Sequence, residues 1–314
     1  MKRIVKNQGI WRAFLGSVCI VLIGLFSGCN APSQVTAGNS SIEVAPQLAT
    51  APTGDPGHQV CDPFGTGGTA GPDHGIFGHL WYLTPDMPQY THVADYQTYG
   101  LSAPVDLYFS QLNVPTRKFD EGFTTQDGTL LQTPQGTTLY EWFSLHFETT
   151  IKLSRLDTAG EYQFAVLSDD GSVMSINDTG TGYRTLINND GVTPSRLGCA
   201  AESITFDNST SLPIKVDYFQ GPRYHIALIL LWREIPSCSG PTTDPTVLSE
   251  TQCGKAGNGM YFDYTQVPQP PTQVWLDMLS RGWKVLSPEN YYLPDYVTTN
   301  PCTGGGPGGG GLGV

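Results

Sequence analysis

Ser168-Asp169-Asp170-Gly171-Ser172-Val173-Met174-Ser175-Ile176-Asn177-Asp178 is the stretch on which the fold of this chain turns. Just before it, Glu161-Tyr162-Gln163-Phe164-Ala165-Val166-Leu167 alternates so that Tyr162, Phe164 and Val166 share one face, as a strand half covered by a second sheet requires. Asp-Gly is a favoured turn pair, so in isolation residues 168–171 read as a hairpin turn leading into a short hydrophobic strand. Ile214, Val216 and Tyr218 repeat the alternation. Residues 226–232 are apolar almost without interruption, which marks a central strand buried on both faces. Segments 105–109, 139–153, 160–167, 173–176, 183–187, 203–206, 212–219 and 225–233 are candidate strands, separated by turn residues. The predicted fold class is therefore all-β: an antiparallel β-sandwich, followed by a small C-terminal extension with one short helix.

Composition agrees. The 314 residues include 37 Gly and 24 Pro, and only 14% are charged, which argues against a mostly helical protein. Sixteen basic residues stand against 28 acidic ones, so no electrostatic footprint for nucleic acid exists. Residues 1–28 combine Lys2, Arg3, Lys6 and Arg12 with an apolar run over 13–26 that is too short for an ordinary membrane span of ~20 residues, and they read as an export signal. The run ends in Phe26-Ser27-Gly28-Cys29, which resembles the lipobox of bacterial lipoproteins; that resemblance implies lipidation of Cys29 and, with Asn30 next, an outer-membrane anchor. Without its leader the chain carries 12 Lys plus Arg against 28 Asp plus Glu, a strongly acidic surface that favours cations.

The expected organisation is a signal peptide over 1–28, a flexible lead-in over 29–74, the sandwich over 75–236, an extension over 237–303 and a disordered Gly-rich tail over 304–314. Export places Cys29, Cys61, Cys199, Cys238, Cys253 and Cys302 in an oxidising compartment. Among the possible patterns, Cys61–Cys199 and Cys238–Cys253 are the preferred pairs. In the extension, residues 272–282 read as a helix capped by Thr272 and ended by Gly282, with Trp275, Met278, Leu279 and Trp283 available for packing on the sandwich or on Tyr291, Tyr292 and Leu293.

The order of motifs resembles the protective-antigen (PA-fourteen) domain, a β-sandwich of flocculins, adhesins and some glycosidases. The resemblance rests on the strand at 160–167, the Ser168-Asp169-Asp170-Gly171-Ser172 turn, Asn189-Asp190-Gly191, the strand Pro213-Ile214-Lys215-Val216-Asp217-Tyr218 and a last strand ending in Trp232. It covers residues 75–236. In lectin members two adjacent aspartates bind one calcium ion across a cis peptide bond, and vicinal sugar hydroxyls complete the metal's shell. Carried onto this chain, the resemblance implies a calcium site at Asp169 and Asp170, with Gln220 as a further ligand from the loop 219–223. Neighbouring side chains on an extended strand point to opposite faces, so two consecutive carboxylates need a reversed backbone to meet one cation. A cis bond supplies it at ~3–4 kcal/mol, which calcium coordination would offset. Asn189 and Asp190 are alternative ligands or plain turn residues. Arg223 and Tyr224, or Tyr183 and Arg184, are candidates to flank a sugar pocket.

The resulting expectation is a lipid-anchored surface lectin or adhesin whose partner is a glycan. Two alternatives stand beside it: a structural or protein-binding scaffold, and a carbohydrate-active enzyme or its accessory domain. No Gly-x-Ser-x-Gly elbow, His-Glu-x-x-His helix or phosphate loop is present, and His58, His74, His79, His92, His146 and His225 show no metal or triad spacing.

Overall fold

The computed structural model describes residues 55–64, 70–223, 225–236 and 240–302. Residues 1–54, and with them the leader and Cys29, lie outside the described residues, as do Tyr224, Cys238 and the tail.

The strands are β1 (Gln59–Cys61), β2 (Ile76–Tyr82), β3 (Leu101–Phe109), β4 (Asn113–Arg117), β5 (Phe143–Ile151), β6 (Gly160–Asp169) and β7 (Ser172–Ile176). They continue as β8 (Arg184–Asn189), β9 (Arg196–Phe206), β10 (Leu212–Gln220), β11 (Ile226–Ile235), β12 (Lys284–Val285) and β13 (Tyr291–Tyr292). Three helices, α1 (Val93–Tyr99), α2 (Asn258–Tyr261) and α3 (Gln273–Ser280), complete the described regular structure with two short 3-10 turns. One sheet runs β1-β3-β2-β5-β10-β7-β8, with β13 also on β5; the other runs β12-β11-β6-β9, with β4 also on β11. Every pairing is antiparallel except β1 with β3.

The main core lies between these sheets. Phe109, Phe147 and Val216 come from one, Tyr162, Phe164 and Trp232 from the other. Alternation along β11 sends Leu228, Leu230 and Trp232 into this core and Ile229 and Leu231 outward. The outward residues, with Ala165, Leu167 and Leu197, are covered by Tyr261, Phe262, Trp275, Met278 and Trp283. The extension is thus the third layer that makes β11 apolar on both faces, and each fully buried side chain of this size contributes ~1.5–3 kcal/mol.

Four expectations are corrected. Residues 168–171 are not a hairpin turn: β6 pairs with β11 and β9, whereas β7 pairs with β10 and β8, so the turn carries the chain from one sheet to the other. The disulfides are Cys61–Cys302 and Cys199–Cys253, with Cα–Cα distances of 5.7 and 5.6 Å. Cys61 and Cys199 belong to different sheets, which pack ~10 Å apart, beyond the reach of a disulfide. Leu279 remains 39% exposed while Trp275 and Met278 pack inward. Thr272 precedes α3, but its hydroxyl donates to Met260 O at 2.6 Å instead of capping the helix.

Candidate metal centre

The turn from β6 to β7 sits where strand ends from both sheets meet. Asp169, the last residue of β6, is opposite Ala227 near the start of β11, and Ser168 is opposite Arg196 at the start of β9. On the other sheet Ser172 is opposite Tyr218 near the end of β10. The Asp169–Asp170 peptide bond is cis.

Both aspartates are buried, with relative exposures of 6% and 4%. Asp170 is held from two sides: Thr193 N–H donates to Oδ1 at 3.0 Å and Gly221 N–H to Oδ2 at 2.8 Å. Asp169 Oδ2 accepts from Ser195 Oγ at 3.2 Å, and that hydroxyl lies 2.7 Å from Thr116 Oγ1. Among the described residues no Arg, Lys or His stands within 4.0 Å of either carboxylate. Burial, and secondarily the charge of Asp170, pushes the Asp169 carboxyl up to about 7. Burial pushes Asp170 up to about 6 against the opposing effect of its two N–H donors. Burial and these two acids also hold the Tyr218 hydroxyl well above its ordinary range.

Two glycines make this geometry possible. A Cβ on Gly171 would stand 2.6 Å from Gly191 N and from the Phe219 ring, and 2.7 Å from Asp190 Oδ1. A Cβ on Gly221 would stand 2.9 Å from Asp170 Oδ2, so only glycine lets this N–H approach the carboxylate.

Gln220 is 1% exposed, with Oε1 2.6 Å from the Tyr218 hydroxyl and Nε2 donating to Pro222 O at 3.2 Å. The same Tyr218 hydroxyl lies 2.5 Å from Asp169 O. The hydroxyl has one proton for these two acceptors, so the acceptor that does not receive it faces the phenol oxygen with a lone pair.

Asn189 serves the scaffold. It is 3% exposed, donates to Ser168 Oγ and Arg196 O, and accepts from Arg196 Nε at 2.7 Å. Asp190 accepts from the backbone N–H of Val93 at the start of α1 and lies 3.1 Å from His92 Nδ1. Arg223 pairs with Asp120 at 3.0 Å and covers the Tyr140 ring, and its N–H donates to Glu141 Oε2. Tyr183 and Arg184 are remote: Arg184 pairs with Ile176 at the far end of β7, about 17 Å of strand from Asn189.

Three residues at the site carried no sequence signal. Thr193 and Ser195 hold the aspartates from a loop whose approach is set by the second sheet. Thr193 Oγ1 is also buried without a hydrogen-bond partner among the described residues. Trp142 adopts a left-handed φ of 55°, and its N–H donates to Gly221 O at 3.2 Å. Among the described residues no group of three or more His, Cys, Asp and Glu gathers as a metal cluster.

No protein-family model and no curated protein matches the chain. Among solved structures, a PA14 sugar-binding domain from an RTX adhesin is similar at 16% identity and a TM-score of 0.35, covering 51% of this chain and 90% of that one. The PA14 domain of the MpAFP antifreeze protein gives 17% and 0.38, over 58% of this chain and 93% of its own. The epithelial adhesin 6 A domain from Candida glabrata, in complex with Galb1-3GlcNAc, gives 15% and 0.35, over 56% and 88%.

Proposed function

We propose that Asp169 and Asp170 hold a calcium ion and that the chain uses it to bind glycan as a surface lectin or adhesin. The observation that carries this reading is the burial of two adjacent carboxylates without a basic partner among the described residues. An uncompensated buried charge is costly, and either a proton or a cation must relieve it. The donor set favours a hard cation: two carboxylates, the unpartnered Thr193 hydroxyl and the Gln220 amide oxygen beside Tyr218 are all oxygen ligands, as calcium prefers. Bound calcium would supply open coordination positions to a pair of vicinal sugar hydroxyls. The resemblance to protective-antigen lectin domains points the same way, and the lipobox-like run ending at Cys29 supports an outer-membrane anchor that places the site at a cell surface.

Isothermal titration of the chelator-treated protein with calcium tests the metal, and a glycan array run with calcium and with chelator tests the sugar. A Kd in the range of roughly 10⁻⁴–10⁻³ M, as for extracellular calcium modules, and chelator-sensitive array signals are expected. Silence on the array both with calcium and with chelator would leave the scaffold reading in its place.

A further inference from the structure

A cleft of about 210 Å³ is lined among others by Leu83, Met87, Thr133, Thr138, Glu141 and Trp142. It is connected to the site through one residue. Trp142 N–H donates to Gly221 O, and Gly221 N–H donates to Asp170 Oδ2. A methyl placed on Gly221 would stand 2.9 Å from Asp170 Oδ2 and 3.7 Å from Trp142 Cζ3, so carboxylate and indole flank the same Cα. Trp142 packs against the cluster of Leu83, Val93, Tyr96 and Phe219 yet is only half buried, which leaves indole surface for the cleft.

The backbone of Trp142 sharpens the point. A φ of 55° is a costly conformation for a bulky side chain, one that glycine or asparagine adopts far more readily, and such outliers concentrate at binding sites. The lining is an indole and aliphatic groups interleaved with hydroxyls, Gln89 and a single carboxylate, with no basic side chain. That mixture suits a neutral, polyhydroxylated ring, which presents an apolar face to an aromatic plane and hydroxyls to its rim, and it disfavours an anionic one. Glu141 is fixed at the rim because its Oε2 accepts the Arg223 N–H at 2.8 Å.

We propose that this cleft is a second sugar subsite, in which Trp142 receives the neutral hexose next to the ring held at the aspartate pair. The proposal rests on the cation-held sugar reading and extends it from a single ring to a disaccharide.

Calorimetry with the full chain separates the two. The probes are the methyl glycosides of glucose, galactose and mannose, and maltose, lactose and mannobiose, each with calcium and with chelator. Wild type should bind at least one disaccharide roughly tenfold more tightly than the corresponding methyl glycoside. Trp142→Gly removes the ring at a backbone position glycine adopts freely, and it should abolish that tenfold gain, bringing the disaccharide down to the affinity of the corresponding methyl glycoside. Trp142→Phe should retain most of the gain. A disaccharide gain that survives Trp142→Gly overturns the subsite. Trp142-dependent disaccharide binding that persists in chelator upholds the subsite and refutes the calcium reading. No binding of any of these sugars by wild type overturns both.

Discussion

Replacing Asp169 by Asn separates a stored charge from an ordinary polar contact. Asp169 accepts one side-chain hydrogen bond, from Ser195 Oγ to Oδ2, and an asparagine carbonyl can take it. Asp170 is a poorer target, because each of its oxygens accepts a backbone N–H and an amide would set N–H against N–H. The folded Asp169 carboxyl titrates near 7 against 3.8 in the unfolded chain, chiefly because it is buried. At ~1.4 kcal/mol per unit, ionising it at pH 8 without metal costs on the order of 2–4 kcal/mol. Thermal unfolding followed by circular dichroism, in chelator at pH 8, should place Asp169→Asn roughly 5–10 °C above wild type, at ~2–4 °C per kcal/mol for a domain of this size. Calcium at about 100 times its Kd should then stabilise wild type by ~2.7 kcal/mol and leave the variant unmoved, closing the gap. A variant that melts below wild type in chelator, or responds to calcium as wild type does, would falsify the reading of an uncompensated acid pair.

Three further outcomes follow from the same geometry. Because the folded pKa values of Asp169 and Asp170 lie above the unfolded one, the folded chain binds extra protons between about pH 4 and pH 7; their contribution to metal-free stability is therefore lost as pH rises through that window, and the wild-type minus Asp169→Asn difference in denaturant midpoints should show it. Protons and calcium compete for both carboxyls of the pair, which lie at about 7 and about 6, so calcium affinity measured by titration should fall roughly a thousandfold from pH 8 to pH 5. Gly171→Ala drives a methyl against Gly191 N and the Phe219 ring, and equilibrium urea unfolding should register a loss of ~1–3 kcal/mol. Serine in place of both Cys199 and Cys253 opens a loop of 54 residues, and the same assay should show a loss approaching ~4 kcal/mol.

Periodicity made most of the sandwich legible. Alternation at 160–167 and 212–219 and the continuous apolar run at 226–232 are local consequences of which face is covered, and each became a strand in register with its neighbours. Strand β2 is absent from the candidate strands. In the fold, Gly78 is where the backbone of β5 comes close: a Cβ there would meet His146 O at 2.6 Å. The third layer was visible only as a set of apolar residues near the C-terminus, since nothing local states that they cover the outer face of β6 and β11.

The Asp-Asp-Gly-Ser run by itself read as a turn, and only its resemblance to protective-antigen domains marked Asp169 and Asp170 as the two acids of the candidate site. The sequence alone could not tell whether that run reverses within one sheet or crosses between two, which cysteines meet, or that Thr193, Ser195, Gly221 and Trp142 converge on the pair. Those are contacts between residues far apart in the chain, set by how two sheets stack and where their strand ends fall, and no window of sequence contains both partners.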